Sequence, residues 1–243
     1  MPAVFFDLDD TLYDFARATH EELLLRLDRL LGEGDAGRLP EAAAAYDEIR
    51  EATWQEYLQG VIPFLEVRVV RFQRVLQALG LDRPAAQVQA EADAFIDGWM
   101  QRIQPFPAVV PLLDALQDRA VMGVITNGEP RQSRTKLEIL GLAGRFRPDL
   151  VIASQEIGIA KPDPAIFALA RSRAGAEAGE TFMVGDSLEA DVRGSLAAGW
   201  AGAVWLNRHD RPLPEDLGAT QRLAVARDFT AVHAEVRRLV AGI

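Results

Sequence analysis

The sequence contains no cysteine. That removes disulfides, thiolate catalysis and cysteine-ligated zinc together, and it is compatible with a reducing compartment. Long apolar runs are missing as well. The longest uncharged, apolar-leaning stretch, 196–207, is too short to span a bilayer and carries two glycines. The first residues lack the basic region of a secretory signal, and acids interrupt them from Asp7 onward. A cytoplasmic protein that does not enter membranes is the expectation. Basic excess is lacking too: the formal net charge is −10 and the pI about 4.9. Binders of nucleic acid polymers usually show a basic stripe, so that class is disfavoured, as is binding to anionic membrane. Lysine is the scarcest charge. Of 26 basic residues, 24 are arginine and only Lys136 and Lys161 are lysine.

What is present describes an ordinary globular protein, 49% hydrophobic and 26% charged over 243 residues, which is enough to bury a large core. The chain opens on Ala3-Val4-Phe5-Phe6, an apolar run suited to a strand buried on both faces of a parallel sheet. It ends in Asp7, Asp9 and Asp10, with Thr11 just beyond. Carboxylates at the tip of a buried strand are costly unless a cation meets them. If the strand stays extended there, Asp7 and Asp9 point the same way, an arrangement that suggests a divalent-metal site.

From about residue 16 to 104 the pattern is helical throughout. Leu23, Leu24, Leu27, Leu30 and Leu31 form one stripe; Tyr46, Ile49, Thr53 and Tyr57 a second. Leu65, Val69, Phe72, Leu76 and Leu79 form a third. Asp82 is expected to cap a fourth helix carrying Val88, Ala92, Phe95, Trp99 and Ile103, with Pro84 in its first turn. Four amphipathic helices with short connections make a bundle. After Pro105-Phe106-Pro107 helices alternate with apolar strands at 121–125, 150–153, 181–184 and 203–206, which implies βαβ units. The predicted fold is therefore α/β, a doubly wound parallel sheet with an inserted all-α helical bundle. Residues 1–14 and 105–243 form the core in this reading, and residues 15–104 the insertion.

Four features fall at strand ends or in the loops beyond them: Asp7 with Asp9, Thr126, Lys161, and Asp186 with Asp191. Singly, each has an explanation without chemistry, such as a turn at Thr126-Asn127-Gly128 or an N-cap at Asp163. Jointly they lie in order at the carboxyl ends of strands, where a doubly wound sheet binds its ligand. The set, FFDLDDTL (5–12), VITNG (124–128), Lys161 within AKPDP and MVGDSLEAD (183–191), resembles the haloacid dehalogenase-like hydrolase superfamily. The resemblance covers the whole chain, since that family also inserts a helical cap after its first motif.

The resemblance implies roles for these residues. Asp7 is implied as the nucleophile that forms an aspartyl-phosphate, and Asp9 as general acid and then base. Mg²⁺ is implied on the Asp7 carboxylate, the Asp9 backbone carbonyl and the Asp186 carboxylate. Thr126 and Asn127 are implied to bind the phosphoryl group, Lys161 to neutralise it, and Asp191 to stand behind the metal site, orienting water or Lys161. Asp10 needs no more than a turn role, and Lys136, on a predicted helix, is expected to be solvated.

Asp9 argues against dehalogenation, because a halide leaves without a proton. A phosphomutase shares every core motif and stays open. A silent binding protein of the same shape predicts a lost catalytic group, and none is lost. Trp54 to Gly60 and Arg71-Phe72 look similar to capped phosphatases that include pyrimidine 5′-nucleotidases. The tail at 203–207 also resembles that sub-group and N-acylneuraminate-9-phosphatases. Tyr57 and Phe72 lie on core stripes, which leaves Trp54 as the candidate to touch substrate. The expected partner is a small phosphorylated metabolite, nucleoside 5′-monophosphates first and sugar phosphates or phosphoglycolate next. The expected assembly is a monomer or homodimer.

Overall fold

Each residue of β1 (Ala3–Phe6) is fully buried. An apolar run with no polar face can be accommodated only at the centre of a covered sheet. The computed structural model describes residues 1–63, 66–218 and 223–241. Two compact units partition the chain, Met1–Phe15 with Ile103–Ile243, and Ala16–Arg102.

The helical unit is built on α1 (Phe15–Leu31), α2 (Leu39–Leu58), α3 (Val67–Ala78) and α4 (Ala85–Met100). Leu23, Leu27, Leu30 and Leu31 of the first stripe are buried. Rings join the next three helices: Tyr46 lies 5.8 Å from Phe72, and Phe72 lies 6.1 Å from Phe95. Leu65, expected to open the third stripe, lies outside the described residues. Asp82 does not cap α4. Pro84 takes the N-cap place in an extended conformation with no side-chain cap, because a proline pushes the residue before it out of helical geometry and delays the start. The stripe on α1 also hides a charge. Glu22 is fully buried and accepts from Arg26 at 2.6 Å and Arg102 at 2.8 Å. Burial alone raises its pKa, but the bonds from Arg102 and Arg26 outweigh it and hold the group below the usual range.

In the other unit, α5 (Val109–Leu116) precedes β2 (Val121–Thr126), and α6 (Pro130–Ile139) follows it. Then come β3 (Val151–Ala153), the short α7 (Ser154–Ile157), α8 (Pro164–Ala174) and β4 (Thr181–Gly185). A π-helical turn at Leu188–Arg193 runs into α9 (Gly194–Ala197), so the helical stretch between β4 and the next strand is two pieces. β5 (Gly202–Leu206), α10 (Glu215–Gly218), β6 (Leu223–Ala226) and α11 (Phe229–Ala241) complete the chain. Among the described residues the six strands form one sheet in the order β3-β2-β1-β4-β5-β6, with every pair parallel. This is the expected doubly wound α/β sheet. β6 lies beyond the expected strands: it is four residues long, at the sheet edge and mostly half-exposed, and its apolar run Leu223-Ala224-Val225-Ala226 is half alanine, a poor strand former. Among the described residues no helix is long and apolar enough to cross a membrane.

The segment leaving β1 and the segment returning to the sheet run side by side. Tyr13 bridges Pro105, and Phe106 donates its N–H to Leu12 at 3.0 Å. An insertion that leaves and re-enters at neighbouring points leaves the sheet register undisturbed. The core behind it is tightly filled. Phe5 stands in register with Gly123, where a Cβ would sit 2.4 Å from the Phe5 ring and 2.9 Å from the Leu150 carbonyl. The same ring packs on Trp200 at 5.4 Å, and Trp200 meets Phe167 edge-on at 5.2 Å. Gly123 is therefore a space requirement of Phe5. Gly123→Ala is expected to cost about 1–3 kcal/mol through overpacking, seen as an earlier urea midpoint. An unchanged midpoint would show that the ring can move aside.

Candidate active site

The chain runs from β1 outward to β2 and β3, then crosses to β4 on the other side of β1. The strand order therefore reverses between β1 and β4, and the carboxyl ends of those strands flank the crevice this creates. Asp7 follows β1 and Asp186 follows β4, so this topology alone places both acids at the crevice. The Asp7 N–H donates to the Val184 carbonyl at 2.8 Å, which carries the ladder one step past the strand. β1 nevertheless ends at Phe6, and Asp10 adopts a φ of +60° in the turn that follows. The extended geometry that would turn Asp7 and Asp9 to the same side does not apply, and each has its own ammonium partner.

Lys161 is the partner of Asp7. Its ammonium is buried and donates three bonds: to Asp7 Oδ1 at 2.6 Å, to Asp191 Oδ1 at 2.6 Å and to the Ile125 carbonyl at 2.7 Å. Lysine has three donors and all are used. The backbone that carries it is held in turn by Asn127, whose side chain donates to the Lys161 carbonyl and accepts from its N–H, both at 2.9 Å. The Asn127 side chain thus serves the lysine loop. Thr126 is buried at the end of β2, and its hydroxyl accepts from the Gly128 N–H at 3.1 Å.

Asp191 sits in the π-helical turn, fully buried, with its second oxygen accepting from the Ser187 N–H at 3.0 Å. A Cβ on Gly185 would lie 2.2 Å from that carboxylate, so only glycine permits the approach. Asp186 is held by its main chain. Its N–H donates to Thr11 Oγ1 at 3.1 Å, and its carbonyl accepts from Trp205 at 2.9 Å and Arg211 at 2.7 Å.

Single oxygens of Asp7, Asp186 and Asp191 lie within 4.8 Å of one another. Three carboxylates therefore face the one ammonium of Lys161. Burial pushes the Asp7 carboxyl up to about 8, with Lys161 opposing and Asp191 and Asp186 adding to the rise. Burial, Asp191 and Asp10 push Asp186 up to about 6. Burial pulls Lys161 down, but Asp191 and Asp7 outweigh it and hold the ammonium above the usual lysine range. An anionic, all-oxygen donor set with surplus negative charge suits a hard divalent cation. Both Asp191 oxygens are committed to Lys161 and Ser187, so Asp7 and Asp186 are the carboxylates that could hold one.

Lys136 is not solvated. It is 2% exposed and donates to both Asp9 oxygens at 2.8 Å. Tyr13 also donates to Asp9 Oδ1, and burial, then Asp9, hold its phenol well above the ordinary range. The signal for Lys136 was in the sequence, since Ser133, Lys136, Leu137 and Leu140 recur at helical spacing and all are buried. Tyr13, Thr11, Trp205 and Arg211 carried no comparable mark. Trp54, on α2 of the helical unit, is 37% exposed and packs against Tyr57 with centroids 5.0 Å apart.

Fold and cluster together define a class: a doubly wound α/β protein, helically interrupted after its first strand, with carboxylates and a lysine gathered at the switch point. The sequence profile of the haloacid dehalogenase-like hydrolases matches residues 1–199, and the chain belongs to that family. It is 33% identical to the pyrimidine 5′-nucleotidase YjjG of Escherichia coli K12 over 218 residues, 89% of this chain and 91% of that one. Over 212 residues it is 29% identical to the human N-acylneuraminate-9-phosphatase, 85% of this chain and 83% of the other. A crystal structure of the Bacillus subtilis protein YfnB bound to magnesium superposes with a TM-score of 0.71, covering 97% of this chain and 98% of that one. At 24% identity that likeness speaks to the fold.

Without metal the cluster should make stability depend on pH. Asp7 and Asp186 keep their protons to about 8 and about 6, whereas the ordinary value is 3.8. Between those limits the folded protein binds more protons than the unfolded chain, so stability falls as pH rises through the window. Lys161 titrates above it and does not offset the trend. In EDTA, Asp186→Asn is expected to raise the unfolding free energy more at pH 8 than at pH 5, by on the order of 1–3 kcal/mol at the upper end, with the thermal midpoint rising in step. Equal effects at the two pH values would contradict the crowding.

Proposed function

We propose that this protein is a Mg²⁺-dependent phosphatase that hydrolyses small phosphomonoesters through an aspartyl-phosphate on Asp7. The observation that supports it most is the surplus of carboxylate over ammonium where Asp7, Asp186, Asp191 and Lys161 meet. Protons or a cation can neutralise such a site, and a phosphate monoester, which brings further negative charge, favours the cation. Asp7, Asp186 and the Asp9 carbonyl are the groups assigned to hold Mg²⁺, which supplies positive charge to the phosphoryl oxygens when bound.

The remaining steps belong to the chain. Asp7 attacks phosphorus while the bond to the leaving oxygen breaks, and Asp9 donates a proton to that oxygen. Water then attacks the aspartyl-phosphate, gives its proton to Asp9, and releases orthophosphate with Asp7 regenerated. Lys161 fixes the attacking carboxylate and spreads positive charge toward the transferring group. Thr126 and the Asn127 main-chain N–H bind that group, since the Asn127 side chain is occupied by the Lys161 loop. Asp191 anchors Lys161.

Nucleoside 5′-monophosphates are the first substrates in this reading, because a relative of that activity aligns along nearly the full length of both chains. An aromatic side chain that keeps a third of its surface open, such as Trp54, suits stacking on a base. Sugar phosphates are the second reading, favoured by the N-acylneuraminate-9-phosphatase relative.

The test is phosphate release from nucleotides, sugar phosphates and phosphoglycolate with Mg²⁺ and with EDTA. Wild type is expected to be active only with Mg²⁺, and Asp7→Asn to lose at least about 1000-fold, the scale of losing a nucleophile. Activity in EDTA, or an active Asp7→Asn, would sink the mechanism. Transfer of phosphate between positions on one sugar, without free phosphate, would make the enzyme a mutase. Independently of turnover, Mg²⁺ is expected to raise the thermal midpoint of wild type and not of Asp186→Asn. An equal rise in both would place the ion elsewhere.

A further inference from the structure

The second lysine has no part in that mechanism, yet the fold spends a buried site on it. Lys136 lies on α6, 127 positions from Asp9, and reaches back to take both carboxylate oxygens at 2.8 Å. On its other side the ammonium stands 5.1 Å from the centroid of the Phe15 ring. Tyr13, four residues after Asp9, donates to Oδ1 from within the same turn, and its ring meets Phe15 edge-on at 6.3 Å. A buried ammonium is costly unless its donors are matched, so it holds its partner's orientation firmly. An Asp side chain without such a clamp moves among rotamers and keeps its oxygens in no fixed place.

We propose that Lys136 is a positioning residue for phosphoryl transfer, acting through Asp9. With Tyr13 it fixes the Asp9 carboxylate in one orientation beyond β1, so that the group that exchanges the proton is held in place before substrate arrives. Proton transfer demands a donor within hydrogen-bond reach of the leaving oxygen, and a misplacement of about 1 Å is enough to lose much of the effect. The placement of α6 supports the same role. Its first turn is fixed by Glu129, which accepts from the Arg131 and Gln132 N–H groups at 3.0 and 2.6 Å. Ser133, one turn before Lys136, donates to the Glu129 carbonyl at 2.8 Å. The helix that presents Lys136 therefore starts from a rigid point just after Thr126, and ties the turn after β2 to the turn after β1.

This inference rests on the reading of Asp9 as proton carrier, and the experiment separates the two. The measurement is kcat/KM, which reports transfer to Asp7, for phosphomonoesters graded from alkyl leaving groups to 2,4-dinitrophenolate. An alkoxide needs a proton as it leaves and the dinitrophenolate does not. Lys136→Met is expected to lower kcat/KM about 10- to 100-fold for alkyl esters and only a few-fold for 2,4-dinitrophenyl phosphate. Lys136→Arg should regain part of the loss, and Asp9→Asn should show the same dependence on leaving group more steeply.

Retained activity on the dinitrophenyl ester is also the internal sign that the variant is folded. Should Lys136→Met fail to fold, Lys136→Gln, which is shorter than lysine and carries no charge to hold the carboxylate, takes its place with the same expectation. A uniform loss across all leaving groups, or none, in the lysine variants while Asp9→Asn keeps its steep dependence would overturn the role of Lys136 alone. Loss of that dependence in Asp9→Asn would overturn the reading of Asp9, and this inference with it.

Discussion

One ammonium holds the chemical end of the sheet together. Lys161 binds three segments at one point: Asp7 beyond β1, the Ile125 carbonyl near the end of β2, and Asp191 in the turn after β4. A charge buried to this degree is stable only if every donor is answered, so the three partners cannot be adjusted independently. The constraint spreads outward from there. Gly185 must lack a side chain because Asp191 comes down onto it. The π-helical turn presents Asp191 to the lysine, in keeping with the frequent use of such turns at functional sites. Asn127 gives its whole side chain to the Lys161 backbone. An arginine could not substitute, because its planar fork does not converge three donors on three directions around one atom.

Asp186 is positioned by a different device. Its main chain is gripped from two sides, by the Thr11 hydroxyl at the N–H and by Trp205 and Arg211 at the carbonyl. Trp205 belongs to β5 and Thr11 to the turn after β1, so the residue is fixed by strands on either side of β4. Fixing the backbone leaves the carboxylate to answer to the electrostatics of the cluster. The result is two acids with different restraints: Asp7 bonded through its side chain, Asp186 held below its side chain. A site that must exchange ligands during turnover gains from that asymmetry, because the frame stays put while the oxygens change partners.

The sheet was largely readable from sequence for a physical reason. Strands of a parallel sheet are covered on both faces, so AVFF, VMGVI and TFMV read as continuous apolar runs. β6 is harder to read because its run, Leu-Ala-Val-Ala, is short and half alanine, and as an edge strand it leaves Val225 exposed. The strand-end groups could be seen as a set because a doubly wound sheet fixes where its carboxyl ends gather, whatever the sequence between them. Lys136 was misread as solvated because a lone lysine on a helix carries no sign of which face it occupies; only Ser133, Leu137 and Leu140 beside it told that. Glu22 was invisible for a similar reason. Its partner Arg102 lies 80 residues away, and the room for its carboxylate comes from Gly98, whose Cβ would fall 2.0 Å from it.

Two lysines in an arginine-rich chain therefore come to divide one turn between them. Asp7 and Asp9 are separated by a single residue, yet the strand ends before the first of them and the turn swings the second toward α6. Each carboxylate then meets its own ammonium: Lys161 with a second acid behind it, Lys136 with an aromatic ring behind it. The surroundings differ in what they leave over. Around Lys161 the carboxylates outnumber the ammonium, which leaves charge for a cation to neutralise. Around Lys136 one carboxylate meets one ammonium and a phenol, which calls for no further ion. Identical side chains two positions apart are thereby given unlike surroundings, and unlike surroundings are the general way in which paired acids acquire separate roles.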